Sequence, residues 1–369
     1  MANEDKATRY QRLRRRATLA AVLSAGFVLS LAHLAGPPGW AVAAATAGPL
    51  SQLGSLALGA LGLLAAASLA RVPAEFYREV VLTRRYGLMR GRPADWLRDW
   101  ARHAGVGLVL GTLAVAAVAA LRWALPGWWW AAGGLLAGGA PVLIGHALQR
   151  AGKADAGTPL TRGDLRERLG RVLARAGYPD LAVYQTHVGA QTRLANAAVV
   201  TVGGRRRVEI TDTLLADHTD EEVEVVLAHE LAHVAHHDVV LTQAVTALQG
   251  AAVLFLVDAA LAATGAAPGV LASYRLPLAY LVAGAAYLLL RPLGLAVSRL
   301  QERRADRYSL SLTANPSALA SVVRRMAANN LAEPSPTAWT VWWWHSHPGA
   351  DERMAEAVRR GAAPAESTS

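Results

Sequence analysis

The stretch VLAHELAHVAHHDVVL, residues 226–241, joins two kinds of sequence. It contains four histidines and two acidic residues, and from Val239 it continues into an apolar run that ends near residue 263. A run of that length crosses about 30 Å of hydrocarbon as a helix. The stretch therefore predicts a polar helix that leads directly into a membrane span, and it raises the question of what its histidines do.

Composition favours a membrane protein. Of the 369 residues, 53% are hydrophobic and only 17% are charged, whereas about 25% are charged in a soluble protein. We attribute the formal net charge of +10 to basic flanks that face anionic lipid. No nucleic-acid motif accompanies that charge, so we expect no nucleic-acid partner. The chain has no cysteine, which excludes disulfides, thiolate zinc sites and a cysteine nucleophile.

Apolar runs divide the chain, and six of them are long enough to span a bilayer. They cover about 17–35, 41–70, 104–121, 126–148, 239–263 and 272–297. The intervening loops alternate between arginine-rich and nearly uncharged, so both termini are predicted to be cytoplasmic. The first run is too long for a signal peptide and no clear cleavage site follows it, so we interpret it as a span.

These spans predict a mostly α, polytopic membrane protein with a small α/β cytoplasmic portion. The N-terminal membrane domain is expected over 1–150. A cytoplasmic portion follows over 151–237, with an amphipathic helix near 161–178, three strands and a hairpin at Gly203–Gly204. Two further spans are expected over 238–298, and residues 299–369 form a C-terminal segment with a flexible tail.

The histidine stretch contains the pattern H-E-x-x-H in His229, Glu230 and His233. On a helix, positions i and i+4 project from one face, so two imidazoles can share one zinc ion. Glu230 can then reach a metal-bound water and act as general base. A capping box at Thr219 and Glu222 predicts the start of that helix. The alternative is a set of solvated histidines at a helix–membrane junction.

A zinc site of this kind needs a third ligand. His236 and His237 are poor candidates, because ligands stacked along one helix cannot surround a tetrahedral ion. Glu302 and Asp306 follow the last span and share a helix face. We expect Glu302 to complete the site and Asp306 to hydrogen-bond a ligand histidine.

Together these residues resemble the M48 zinc metalloproteases, the group of the type I CAAX prenyl proteases, which carry H-E-x-x-H and then E-x-x-x-D after a membrane segment. Three further stretches resemble the family in the same order. They are VPAEFYREVVLTRRYGLMRG (72–91), NAAVVTVGGRRRVEITDTLL (196–215) and SHPGADERM (346–354). The resemblance implies a zincin-type fold and a metalloendopeptidase of the gluzincin type.

The resemblance also assigns roles to residues outside the motif. It places Asn196 and Ala197 on an edge strand that pairs with an extended substrate, which suits the unpaired backbone groups of a sheet edge. It makes His347 a candidate donor to the tetrahedral oxyanion. It implies that Arg353 pairs with a carboxylate such as Asp306.

Departures from the family limit what is carried over. Gly349 stands where the family has a second proline, the eukaryotic members have one more span, and the tract WTVWWWHSH (339–347) is unusually rich in tryptophan. Alanine- and arginine-heavy usage suggests a bacterial source, where prenylated substrates are not expected. Asp258 lies within a predicted span, where it could line a cavity or cap the span's extracytoplasmic end.

The sequence thus predicts a multi-pass cell-membrane zinc endopeptidase with one Zn²⁺ per chain and a cytoplasmic active site. Its expected partners are the lipid bilayer and membrane-associated or extended peptides. Three alternatives remain: a quality-control protease of the HtpX type, a signalling membrane protein and a non-catalytic scaffold. The early spans disfavour the HtpX type, and the lack of a large sensor domain disfavours the signalling protein. The presence of Glu230 disfavours the non-catalytic scaffold.

Overall fold

The structure is a computed structural model that describes residues 5–36, 38–39, 41, 43, 48–89, 91–150, 157–188, 196–202, 205–265 and 272–362. The early helices are α1 (Lys6–Leu34), α2 (Pro49–Phe76, extended by a π-helical segment, Tyr77–Leu82, and by Thr83–Arg85), α3 (Pro93–Ala124) and α4 (Trp129–Arg150). Then come β1 (Thr158–Pro159), α5 (Gly163–Arg175), β2 (Ala182–Thr186), β3 (Ala197–Val202), β4 (Arg205–Thr211) and α6 (Asp212–Asp217). The remaining helices are α7 (Asp220–Ala235), α8 (Asp238–Ala263), α9 (Leu276–Thr313, preceded by a 3₁₀ turn, Ser273–Arg275), α10 (Pro316–Asn329), α11 (Ala338–Trp344) and α12 (Ala350–Ala362).

The chain forms two compact units. The first comprises Met1–Gln11, Pro141–Thr242 and Pro292–Ser369, and the second comprises Arg12–Ala140 and Gln243–Arg291. The second unit contains most of the apolar helical sequence, and the first contains the sheet and the histidine helix α7.

Five helices among the described residues are long and apolar enough to cross a membrane. They are Lys6–Leu34, Ser51–Arg85, Pro93–Ala124, Asp238–Ala263 and Ser273–Thr313. These coincide with five of the six predicted spans. The other predicted span, 126–148, forms α4, whose described apolar part, Trp129–Gly145, is shorter than those five. A total of six spans therefore stays a prediction.

Helices α4 and α8 approach each other closely through glycine. A Cβ atom added to Gly134 would lie 2.5 Å from the carbonyl oxygen of Ala247 and 2.6 Å from the Cβ of Ala251. One turn later, a Cβ on Gly138 would lie 2.7 Å from the carbonyl oxygen of Gln243. Small residues four positions apart allow such backbone contact between apolar helices, where van der Waals packing drives association. Any side chain at these two positions would therefore force the helices apart.

The predicted span containing Asp258 holds one partner of an ion pair whose arginine is buried. Arg122, near the end of α3, is 3% exposed and donates from Nη1 to Asp258 Oδ1 on α8. Its guanidinium also lies 5.0 Å from the ring centroid of Trp129 on α4. An ionisable group among apolar helices needs such a partner. The ion pair therefore links α3 to α8, and the contact with Trp129 adds α4. It also gives the Asp258 carboxylate a charged partner within an apolar helix.

The first unit is built on a four-stranded sheet in the order β1-β2-β4-β3. Strands β3 and β4 pair antiparallel, with Val202 opposite Arg205, and β2 runs parallel to β4. The predicted hairpin pairing is confirmed, while Gly203–Gly204 themselves lie outside the described residues. Strand β3 occupies one edge of the sheet. The amphipathic helix expected near 161–178 is α5, and it buries Leu165, Leu169, Val172 and Leu173.

One hydrophobic core joins the sheet to α7. Val208 and Ile210 of β4 are fully buried with Leu227 and Leu231 of α7. Ala197, the first residue of β3, belongs to the same cluster. This packing fixes one face of α7 against the sheet, so the histidines of the motif lie on a helix with a defined orientation.

Candidate metal centre

Helix α7 begins where the capping box predicts. Thr219 accepts from the backbone N–H of Glu222 (3.3 Å), and the Glu222 carboxylate accepts from the backbone N–H of Thr219 (3.0 Å). The reciprocal bonds satisfy two of the free N–H groups at the helix start. The helix ends at Ala235, and His237 adopts a positive φ of 54° before α8 begins at Asp238. The chain therefore turns between the histidine helix and the apolar helix.

The structure brings three of the predicted ligand side chains together. His229 Nε2 lies 3.4 Å from Glu302 Oε2, and His233 Nε2 lies 3.8 Å from Glu302 Oε1. One potential ligand atom from each residue lies within 4.8 Å of the other two. Glu302 comes from α9, which continues past the predicted sixth span as one helix to Thr313. Two helices remote in sequence thus present their donor atoms to one point.

These distances fit a zinc ion. Tetrahedral zinc with ligand distances of 2.0–2.2 Å needs donor atoms about 3.3–3.6 Å apart. The two histidine–glutamate separations of 3.4 and 3.8 Å are close to that range. Two imidazole nitrogens and a carboxylate are also a donor set that zinc prefers, and three protein ligands leave one position for water or substrate.

Both histidines are oriented by carboxylates. His229 donates from Nδ1 to Asp306 Oδ1 at 3.0 Å, and His233 donates from Nδ1 to Asp238 Oδ2 at 2.8 Å. A carboxylate can only accept, so each Nδ1 carries a proton, and Nε2 is the nitrogen that would bind a metal. The two acids are 3% and 5% exposed. Burial strengthens both interactions because water does not screen them.

Each orienting carboxylate has its own arginine. Arg353 on α12 donates from Nε and Nη2 to the two oxygens of Asp306, at 2.7 and 2.6 Å. Arg304 donates from Nη2 to Asp238 Oδ1. The resemblance to the M48 family implies the pairing of Arg353 with Asp306, whereas the sequence assigns no role to Asp238. Its position five residues after His233 gives no helical signal, because the turn at His237 brings it back toward the histidine.

The protonation of His229 links this site to metal uptake. Burial alone would lower the pKa of His229, but its hydrogen bonds with Asp306 and Glu302 outweigh burial and raise the pKa to about 9. An imidazole must be neutral at its metal-binding nitrogen. A metal ion held here would therefore compete with protons for this residue, and acid would weaken metal binding.

Glu230 lies next to the donor cluster on α7. Burial raises the pKa of its carboxyl group, while the nearby His229 and His233 oppose the rise. A carboxylate with a raised pKa accepts a proton more readily near neutral pH, as a general base requires.

His347 contacts the same cluster through Glu302. Its Nδ1 lies 2.9 Å from Glu302 Oε2, and its side chain is 62% exposed. It precedes α12 in a segment without regular structure, residues 345–349. His236 and His237 do not join the donor cluster: His236 donates from Nδ1 to the carbonyl of Ala232 (2.8 Å), and His237 is exposed.

The structure places Asn196 and Ala197 at the start of the edge strand. Asn196 is exposed, and its backbone N–H donates to Thr211 Oγ1 at 2.9 Å, while its carbonyl accepts from the Thr211 N–H at 3.0 Å. Ala197 is 5% exposed and lies opposite Ile210. These contacts tie the start of β3 to β4 and leave its other edge facing away from the described strands.

Comparisons with known proteins identify the family. Residues 159–360 match the model of peptidase family M48, and residues 2–144 match that of the CAAX prenyl protease N-terminal region, described as having five membrane helices. The first match covers more than half of the chain, so the protein belongs to peptidase family M48. With its five candidate spans and its membrane-domain match, it is a multi-pass membrane protein.

Individual relatives cover less of the chain. The uncharacterized metalloprotease YhfN of Bacillus subtilis is 26% identical over 56% of this chain and 50% of its own length. A protease HtpX homolog of Nostoc punctiforme is 37% identical over 33% of this chain and 43% of its own length. The probable CAAX prenyl protease 1 of Schizosaccharomyces pombe is 24% identical over 47% of this chain and 37% of its own length. The chain therefore spans half or less of these curated relatives.

A solved structure shares the fold. The crystal structure of Ste24p from S. mikatae superposes with a TM-score of 0.66, covers 94% of this chain and 81% of its own, and is 17% identical in sequence. The mostly α, polytopic fold with a small sheet that the sequence predicts is thereby confirmed.

Proposed function

We propose that this protein is an integral-membrane zinc metalloendopeptidase that hydrolyses extended, membrane-associated peptides. The observation that carries the proposal is the convergence of His229, His233 and Glu302, with Glu230 beside them. These three side chains would hold one Zn²⁺, which when bound supplies a Lewis acid for the scissile carbonyl. Membership of a peptidase family supports this chemistry.

The chain's own groups have separate tasks in this mechanism. Glu230 accepts a proton from the attacking water and delivers it to the leaving amine. Asp306 and Asp238 keep the two imidazoles in the tautomer that leaves Nε2 available. His347, beside Glu302, donates a hydrogen bond to the oxyanion as the carbonyl becomes tetrahedral.

Substrate binding follows from the sheet edge. An extended peptide would add to β3 by backbone hydrogen bonds, beginning at Asn196 and Ala197. The edge strand and α7 share one hydrophobic core. A peptide bound along β3 would therefore bind to the same unit that carries the H-E-x-x-H helix. We place the site and both termini on the cytoplasmic side, because arginine is concentrated in alternate loops.

Metal removal and restoration test this proposal. Full-length protein purified in detergent should contain about one zinc per chain and cleave an internally quenched peptide chosen from a library. A chelator should abolish cleavage, and added Zn²⁺ should restore it. Glu302→Ala should lose both zinc and cleavage, whereas the matched change Glu356→Ala, on α12, should lose neither. Cleavage that survives complete zinc removal would contradict the proposal.

A second function within the same chemistry is quality control of membrane proteins. The observation that favours it is the 37% identity to an HtpX homolog, although that match covers a third of this chain. The membrane region instead matches the CAAX prenyl protease type, which favours selective peptide processing. Proteomics of cells carrying Glu230→Gln separates the two: a few accumulated precursors indicate processing, and a broad set of damaged membrane proteins indicates quality control.

A further inference from the structure

Arg299 is a buried arginine on α9, one turn before Glu302. It is 7% exposed. Its Nη1 donates to two backbone carbonyl oxygens, that of Val341 at 3.1 Å and that of His345 at 2.8 Å. Arginine is seldom buried without a partner for its charge, and among the described residues the hydrogen-bond acceptors of Arg299 are these two carbonyls.

These carbonyls belong to the end of helix α11. Val341 is in its last turn, and His345 is the residue that follows its final residue, Trp344. The Val341 carbonyl also accepts from the backbone N–H of His345 at 3.2 Å, so Arg299 is its second donor. The guanidinium therefore ties the end of α11 to α9, and its positive charge lies at the negative end of the helix dipole.

Residues 345 and 347 connect α11 back to the candidate metal centre. His347 is two residues beyond His345, and its Nδ1 is 2.9 Å from Glu302 Oε2. Arg299 and Glu302 are three residues apart on one helix and so share a face. The chain from His345 to His347 is therefore held at both ends by a single turn of α9.

An attachment at His345 limits where the His347 side chain can lie. Its side chain is 62% exposed, and residues 345–349 have no regular structure. An exposed side chain on an irregular segment has many accessible rotamers, and fixing it costs conformational entropy. The hydrogen bond at His345 removes part of that freedom before substrate arrives.

We propose that Arg299 is a positioning residue that fixes the end of α11 and thereby holds His347 beside Glu302. This inference rests on the proposed function, in which His347 stabilises the oxyanion. A misplacement of about 1 Å can reduce the rate by about 10²-fold. Arg299 acts through His347, so its removal lowers kcat and leaves KM and zinc content nearly unchanged.

A double-mutant cycle in the zinc-loaded full-length protein tests this dependence. Arg299→Met should lower kcat by about 10- to 100-fold, and His347→Ala by at least as much. In the His347→Ala background, Arg299→Met should change kcat by less than about twofold. Arg299→Lys should restore most of kcat, because an ammonium has three N–H donors and can donate to the same carbonyls. Arg303→Met, on the same helix, is the matched control and should leave kcat unchanged.

A second measurement does not depend on activity. Hydrogen–deuterium exchange of peptides covering residues 338–349 should quicken in Arg299→Met but not in Arg303→Met, in metal-free as well as zinc-loaded protein. If wild-type protein cleaves no peptide, the proposed function fails and the exchange data alone decide the role of Arg299. The inference would be overturned if Arg299→Met left either the exchange or kcat unchanged. It would also be overturned if the losses of kcat in Arg299→Met and His347→Ala multiplied in the double variant.

Discussion

Replacing Asp238 should weaken zinc binding although Asp238 is not a ligand. It accepts a 2.8 Å hydrogen bond from His233 Nδ1, it is 5% exposed, and its other oxygen pairs with Arg304. Losing such an orienting partner typically costs about 10- to 100-fold in metal affinity. Asp238→Asn keeps an acceptor but removes the charge, so we expect about tenfold, or about 1.4 kcal/mol. Asp238→Ala removes both and should cost about 100-fold, or about 2.7 kcal/mol.

Competition with a chelator of known zinc affinity measures this effect. The assay uses full-length protein in detergent at neutral pH, with circular dichroism to verify that each variant is folded. Asp99→Asn, an exposed aspartate paired with Arg102, is the matched control and should keep wild-type affinity. If Asp238→Ala binds zinc as tightly as wild type, the orienting role of this carboxylate is refuted.

Three further predictions concern stability. Gly134→Leu should destabilise the protein by about 1–3 kcal/mol, since its Cβ would meet Ala247 and Ala251. Nothing lies within 4 Å of a Cβ at Gly139, so Gly139→Leu should leave the thermal midpoint unchanged. Equal thermal midpoints for the two variants would contradict the close packing of α4 against α8. Arg122→Met and Asp258→Leu should each cost about 3–5 kcal/mol, and the double variant should recover most of that loss; a double variant as unstable as both singles combined would argue against the pair. Burial lowers the pKa of His218 below 6.5 despite the nearby Glu222, so as pH falls the unfolded state binds a proton before the folded state does, and the free energy of unfolding should fall below about pH 6.5. In denaturant titrations, the free energy of unfolding of His218→Leu should depend less on pH in this acid range. A pH dependence identical to that of the wild type would exclude His218 as the cause of the loss.

The sequence predicts the parts of this molecule that depend on local patterns. Apolar runs locate the candidate spans, because length and composition suffice to define a membrane helix. The capping box at Thr219 places the start of α7, and H-E-x-x-H sets two side chains on one face. Glu302 and Asp306 are found because their spacing is also helical and because they follow the next span.

The residues that sequence reasoning missed are those placed by a turn or by a distant helix. Asp238 faces His233 only because the chain turns at His237, whose positive φ has no sequence signal in a histidine. Arg299 matters through carbonyls of α11, and backbone acceptors carry no residue type to recognise. The Arg122–Asp258 pair joins positions 136 residues apart, which neither periodicity nor spacing can relate.

The zinc content and peptide cleavage of Glu230→Gln, measured on the same purified sample, test the central claim most directly. The substitution keeps the shape of the side chain and removes its ability to accept a proton. We expect about one zinc per chain, a wild-type thermal midpoint and cleavage reduced by at least about 10²-fold. Wild-type cleavage by a zinc-loaded Glu230→Gln sample would contradict the assignment of Glu230 as the general base and, with it, the proposed mechanism.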